Sequence, residues 1–210
     1  NALTVGAYTK LTAITEPSLS SFSPVASIGG LSPYSTTSHL WDHKKWPIKP
    51  DVVFEGGNSA IDSSGFSTNC DSLSLLTLNY MPQISLFETI NMTSAATALA
   101  SFFAAQIQAE YEEAWPETIR ALIVHSADWT EDMKSSFLEG NTIRDQYKNL
   151  IRICGYGIPD LEKAIACTKL TLEVLEGNTS AVRAYEKSGF KPYQLNPDLG
   201  DALFYQKYID

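Results

Sequence analysis

The segment Thr93-Ser94-Ala95-Ala96-Thr97 is where this 210-residue sequence comes nearest to chemistry. The residues around it are low in Gly and Pro, which places Ser94 in the first turn of a helix. Free backbone N–H groups and the helix dipole meet there and lower the cost of negative charge on a nearby oxygen. A nucleophilic hydroxyl whose substrate becomes an oxyanion suits that position. A plain N-cap at Thr93 or Ser94 is the commoner role, and the pentapeptide alone leaves both readings open. A nucleophile needs a base, and the sequence holds His39, His43 and His125. His39 and His43 flank Asp42 at i,i+4, a spacing that chelates metal only on a helix. Pro47 and the Ser/Thr-rich lead-in argue for a solvated loop instead, so no metal site is expected. Asp42 is a poor orienter for His43, because sequence neighbours seldom face each other as a relay requires. His125 is expected late in a helix, as a C-terminal charge or a packed side chain.

The elements that must position Ser94 come from apolar patterning. Thr4 to Ala7, Asp51 to Phe54 and Leu73 to Leu78 read as strands, punctuated by prolines within a loop-rich first ninety residues. Thr93 to Tyr111 reads as a long helix, largely buried because both faces are apolar near its start. Pro116 opens a second helix over Glu117 to Ser126, with Trp115 packing at its entrance. Thr130 is a plausible N-cap for a short third helix. Gly155-Tyr156-Gly157 is a turn, and Pro159 to Ala166 a closing helix with acidic residues in its first turn. From Lys169 the pattern changes: a strand over Leu170 to Leu175, and a helix over Asn178 to Ser188 stopped by Gly189. Two short strands follow, near Phe190 to Leu195 and Ala202 to Tyr208.

Composition bounds the partners. The net charge of -9, with no Lys/Arg run, argues against nucleic acid and against anionic lipid. No stretch of about 18 apolar residues is present to span a membrane. Cys70, Cys154 and Cys167 are odd in number and widely spaced, as buried free thiols are, and unlike a disulfide framework or zinc site. Asn91-Met92-Thr93 and Asn178-Thr179-Ser180 match the glycosylation sequon, a pattern common by chance. The first residues, Asn1-Ala2-Leu3-Thr4-Val5-Gly6-Ala7, read like a strand entered from its middle with no starting Met, so the chain is expected to be cut from something longer. An acidic, cysteine-poor sequence without a signal suits the cytoplasm.

Five further segments join the Ser94 stretch in a shared order. They are Asn1 to Ala7, Ser21-Phe22-Ser23, Lys49-Pro50-Asp51-Val52-Val53, and the pair Trp115 to Leu122 with Gly155 to Asp160. Together with Met92 to Ala98 they resemble the later part of the catalytic domain of a subtilisin-like serine protease, a subtilase, over residues 1 to about 166. Met92 to Ala98 resembles that family's "GTSxAxP" motif, Lys49 to Val53 its "KPDVxAPG" segment, and the last two its "P…IRALL" and "GYG" signatures. The resemblance implies Ser94 as acylated nucleophile, its own N–H as half of the oxyanion hole, and Thr93 assisting beside it. It implies no organic cofactor and a polypeptide substrate. The family's chain order of Asp, His, Ser implies that the Asp, the His and the oxyanion Asn come from outside these residues, in a missing N-terminal segment or a partner chain. Four positions depart from the pattern: Met92 replaces the motif Gly, where small size or unusual backbone angles are needed, Ala98 replaces the motif Pro, and Phe54-Glu55 stands for Ala-Pro.

Leu172-Glu173-Val174, Asn178, Ala181, Tyr185 and Gly189-Phe190 together resemble the C-terminal motif of a GNAT-type acetyltransferase over about residues 168 to 210. That resemblance implies acetyl-CoA as cofactor, held at Asn178, with Tyr185 protonating the departing thiolate. The alternative role of Tyr185 and Phe190 is that of core aromatics. A pyrophosphate-binding loop is not found ahead of the motif. The expectation is an α/β protein: a mostly parallel, incomplete subtilisin-like sheet with flanking helices over 1–166, and a small strand–helix–strand–strand unit over 167–210. A serine endopeptidase segment leads; an N-acetyltransferase, and an inactive fragment, chimera or scaffold, are the alternatives.

Overall fold

A computed structural model describes residues 2–41, 47–166, 169–175, 179–187, 189–193 and 202–208. Its centre is a parallel pair of strands, β1 (Val5–Tyr8) and β3 (Val52–Glu55), in the register Val5↔Val52 to Tyr8↔Glu55. Side chains alternate across such a pair. Ala7, Val52 and Phe54 enter one core, Tyr8 and Val53 the other. The 19-residue helix α1 (Met92–Glu110) covers the first face with Ala96, Ala100, Phe103 and Ile107. Its alanines let it lie close to the sheet, and Phe103 meets Phe54 edge to face at 5.4 Å. The helices α2 (Pro116–Ser126) and α5 (Leu161–Ile165) complete that core through Ile119, Leu122, Ile123 and Ala164. On the second face lie α3 (Glu131–Phe137) and α4 (Ile143–Cys154), which bury Met133, Leu150 and Cys154. The α/β class is as expected: a parallel pair between two helical layers.

Motif residues far apart in sequence meet beneath β3. The Asp51 carboxylate accepts hydrogen bonds from Thr4 N at 2.7 Å, Thr4 Oγ1 at 2.6 Å and Arg120 Nη2 at 3.0 Å. The Asp51 carbonyl accepts from Tyr156 N at 2.8 Å, and Val53 N donates to Gly157 O at 2.9 Å. Gly155 (φ +59°) and Gly157 (φ +99°) leave no room for a side chain, since an added Cβ would sit 2.3 Å from Asp51 O and 2.1 Å from Asp128 O respectively. These positive φ angles and close backbone approaches need glycine.

The remaining strands pair antiparallel. β2 (Ser23–Pro24), β4 (Ala60–Ile61) and β5 (Ser67–Thr68) form one small sheet, and β6 (Leu75–Leu78) pairs with β7 (Phe87–Ile90) as a hairpin. Near the C-terminus β8 (Lys169–Leu175), α6 (Thr179–Lys187), β9 (Lys191–Tyr193) and β10 (Ala202–Tyr208) give the expected strand–helix–strand–strand order, with β10 between β8 and β9. Phe190 packs against the α1 core, which ties this unit to the rest.

Several expectations need correction. The α1 helix is not buried on both faces: Phe102 is 64 % exposed, and Ser94, Thr97, Ala98 and Ala105 are exposed as well. Only one sheet face is available to cover it among the described residues. Trp115 is 43 % exposed, so it does not seal the entrance of α2. The strand predicted from Leu73 begins at Leu75, because Asp71–Leu73 closes a 3-10 turn. Cys70 and Cys154 are buried free thiols as expected, and Cys167 lies outside the described residues. Burial pushes the Cys154 thiol up to about 12, with a smaller contribution from the Asp132 charge. Thiolate is the reactive form. Cys154 should therefore resist a thiol-directed disulfide reagent at pH 8 in the folded chain and react at once in denaturant; equal rates would contradict the burial.

Candidate active site

The start of α1 is held by the two residues that follow β3. Met92 N donates to Gly56 O at 2.7 Å. A Cβ on Gly56 would fall 2.5 Å from Ala7 Cβ and 3.1 Å from Met92 O. One on Gly57 would fall 2.8 Å from Leu73 O and 3.1 Å from Asn91 Cβ. Glycines thus let Asn91 and Met92 approach the sheet end closely. Met92 carries φ +70°, and no other non-glycine residue among those described has a positive φ. The motif that Met92 to Ala98 resembles carries glycine at this position, and the backbone there has the angle that glycine favours. A side chain in that conformation costs about 1–2 kcal/mol. The Met92→Gly variant gives up about 0.5–1 kcal/mol of chain entropy. Thermal unfolding should therefore find it equal to or slightly more stable than the parent; a clear loss would show that Met92 is not strained.

Ser94 follows on the exposed side of the first turn, while Ala95 and Ala96 are buried against the core. The N-cap residue is Asn91, not Thr93 or Ser94, and its side chain makes no capping hydrogen bond. The first N–H groups of α1 are therefore left without a side-chain cap. Thr97 Oγ1 donates to Thr93 O at 2.7 Å, a bond within the helix.

No histidine hydrogen-bonds Ser94 among the described residues. His39 is exposed, and His125 is exposed in the last turn of α2. Asp42 and His43 lie outside the described residues, as does Asn178. Among the described residues no group of His, Cys, Asp and Glu is arranged to hold a metal ion. Tyr185 is half-buried in α6 with its ring 6.0 Å from that of Phe190. Clefts of about 390 and 360 Å³ lie beside α2, lined in part by Pro116 and Arg120; neither includes Ser94 or Tyr185. Sequence reasoning missed the part played by Glu55. Its carboxylate accepts from Lys10 N at 2.7 Å and from Gly57 N at 3.0 Å, fastening the loop that cradles Met92. Its place in the motif, where the family has Pro, was the available signal.

The Subtilase family model matches residues 1–157. The chain belongs to the subtilase family, and a serine peptidase-like function goes with that membership. No curated protein and no solved structure matches the chain. The likeness of residues 168–210 to an acetyltransferase motif lies outside the matched region. No helix among the described residues is long and apolar enough to cross a membrane.

Proposed function

We propose that residues 1–166 carry the nucleophile half of a serine endopeptidase site, with Ser94 as the catalytic serine and residues 167–210 as a separate segment. The observation that carries this is Ser94 on the exposed first turn of α1, beside uncapped backbone N–H groups, at the serine of the family motif. In the reaction Ser94 Oγ bonds to the carbonyl carbon of a peptide and its proton passes to a histidine. The carbonyl oxygen becomes an oxyanion facing the Ser94 N–H, with Thr93 beside it. The amine leaves with that proton, and water then hydrolyses the acyl-enzyme. The Asp–His pair and the side-chain oxyanion donor come from a further segment or a partner chain. The exposed outer face of α1, with Ala98, Phe102 and Ala105, supports a covering polypeptide there.

The test is intact-mass spectrometry with a fluorophosphonate. The serine oxygen bonds to phosphorus, fluoride leaves and the base takes the proton. One adduct, mapped to Ser94 and abolished in Ser94→Ala, is the expected result once the Asp–His source is present. No adduct under any such complementation overturns the reading and leaves a family member that keeps the fold without the chemistry.

A further inference from the structure

Asn is among the best N-cap residues, and its side chain ordinarily accepts from the N–H of the second or third helical residue. For α1 those are Thr93 and Ser94, and the Ser94 N–H is the one that the peptidase reading sets against an acyl oxyanion. Asn91 occupies the N-cap of α1 and does not cap it. The reason lies in its neighbours. Asn91 Nδ2 donates to Ser74 Oγ at 3.3 Å and to Tyr34 Oη at 3.5 Å. Ser74 Oγ spends its own proton on Cys70 O at 2.9 Å. The Tyr34 hydroxyl spends its proton on Asn69 Oδ1, with Asn58 O at 3.2 Å as a second acceptor. Each hydroxyl has one proton. Both therefore face Asn91 as acceptors, and only the amide NH₂ fits between them. The Asn91 amide is thus held by two side chains from outside α1, and its oxygen makes no bond to the helix end.

We propose that Ser74 and Tyr34 are positioning residues: by holding the Asn91 amide they keep it from capping the Thr93 and Ser94 N–H groups of α1 and leave the Ser94 N–H free for the carbonyl oxygen of a substrate. The last part rests on the peptidase reading of Ser94; the restraint on Asn91 does not. Neither residue touches substrate, and neither stands out in the sequence.

Amide hydrogen exchange at residues 93 and 94, followed by NMR, tests this without requiring catalysis. The Ser74→Ala, Tyr34→Phe double variant frees Asn91 to swing onto the helix end. Exchange at one of the two amides should then slow about fivefold, the worth of a good N-cap. Adding Asn91→Ala should return it to the parent rate. A merely structural role for the two hydroxyls would move exchange the other way, toward faster opening. Unchanged or faster exchange in the double variant overturns the proposal. Ser74→Ala alone, the milder change, should show a smaller slowing of the same sign, and its absence there is equally decisive should the double variant not fold. In the complemented chain, fluorophosphonate labelling at Ser94 should fall in the double variant and recover when Asn91→Ala is added. A parent chain that never labels overturns the peptidase reading, whereas the exchange result alone upholds or overturns the positioning role.

Discussion

Replacing Gly157 with alanine is expected to cost at least about 3 kcal/mol of stability, which lowers the melting temperature by about 6–12 °C for a chain of this size. Two effects add. The backbone has φ +99°, and the new Cβ would fall 2.1 Å from Asp128 O and 2.4 Å from Asp128 C. Backbone atoms cannot swing aside as a flexible side chain does. Here they are held by reciprocal bonds, Asp128 N to Ile158 O at 3.1 Å and Ile158 N to Asp128 O at 2.8 Å. Relieving the clash breaks that bridge and pulls on the bond from Val53 N to Gly157 O. The control is Gly65→Ala. Its φ is +88°, but nothing lies within 4 Å of the added Cβ, so only the conformational cost of about 1 kcal/mol applies. Equal losses in the two variants would show that the packing around Gly157 gives way easily.

That joint explains which parts of the fold were legible. The strands β1 and β3 and the helices α1 and α2 announce themselves by apolar runs, by Pro116 and by the change in texture near Thr93. The motif residues Asp51, Arg120, Gly155 and Gly157 were legible as a pattern, but their work is structural: they converge under β3, and no reacting group is among them. Ser94 was legible as a candidate through its place in the first turn of a helix and through the motif it shares with the family; the local fact alone left a plain cap equally open. The α4 helix was missed although Ile143, Tyr147, Leu150, Ile151 and Cys154 recur at helical spacing; Arg144, Asp145 and Lys148 lie on its exposed side, and the high charge of the segment hid the pattern. The β7 strand was not legible either, because all four of its residues are exposed and no alternation marks it. The parts played by Glu55 and Asn91 depend on partners up to 57 positions away, which no local window contains.

Asp51→Ala is the second large effect, at about 3 kcal/mol. The carboxylate is 17 % exposed and accepts three hydrogen bonds, each of the charge-assisted kind worth about 1.5–3 kcal/mol but not additive. Its loss leaves the Thr4 N–H and hydroxyl without their acceptor at the entrance to β1. Arg120→Ala should cost far less, about 1 kcal/mol or under, because that side chain is 40 % exposed and water takes over its charge. The asymmetry is the test: near-equal losses would mean that the ion pair, and not the bonds to Thr4, carries the joint. Acid should act through the same group. Burial raises the Asp51 carboxyl, but the Thr4 bonds and the Arg120 charge together outweigh it and hold it below its ordinary value of 3.8. A carboxylate depressed in the folded state contributes its stability above about pH 4 and loses it as pH falls through the folded value. Stability measured from pH 6 down to pH 3 should fall less steeply in Asp51→Ala than in the parent chain, since the variant has already lost what the proton would remove.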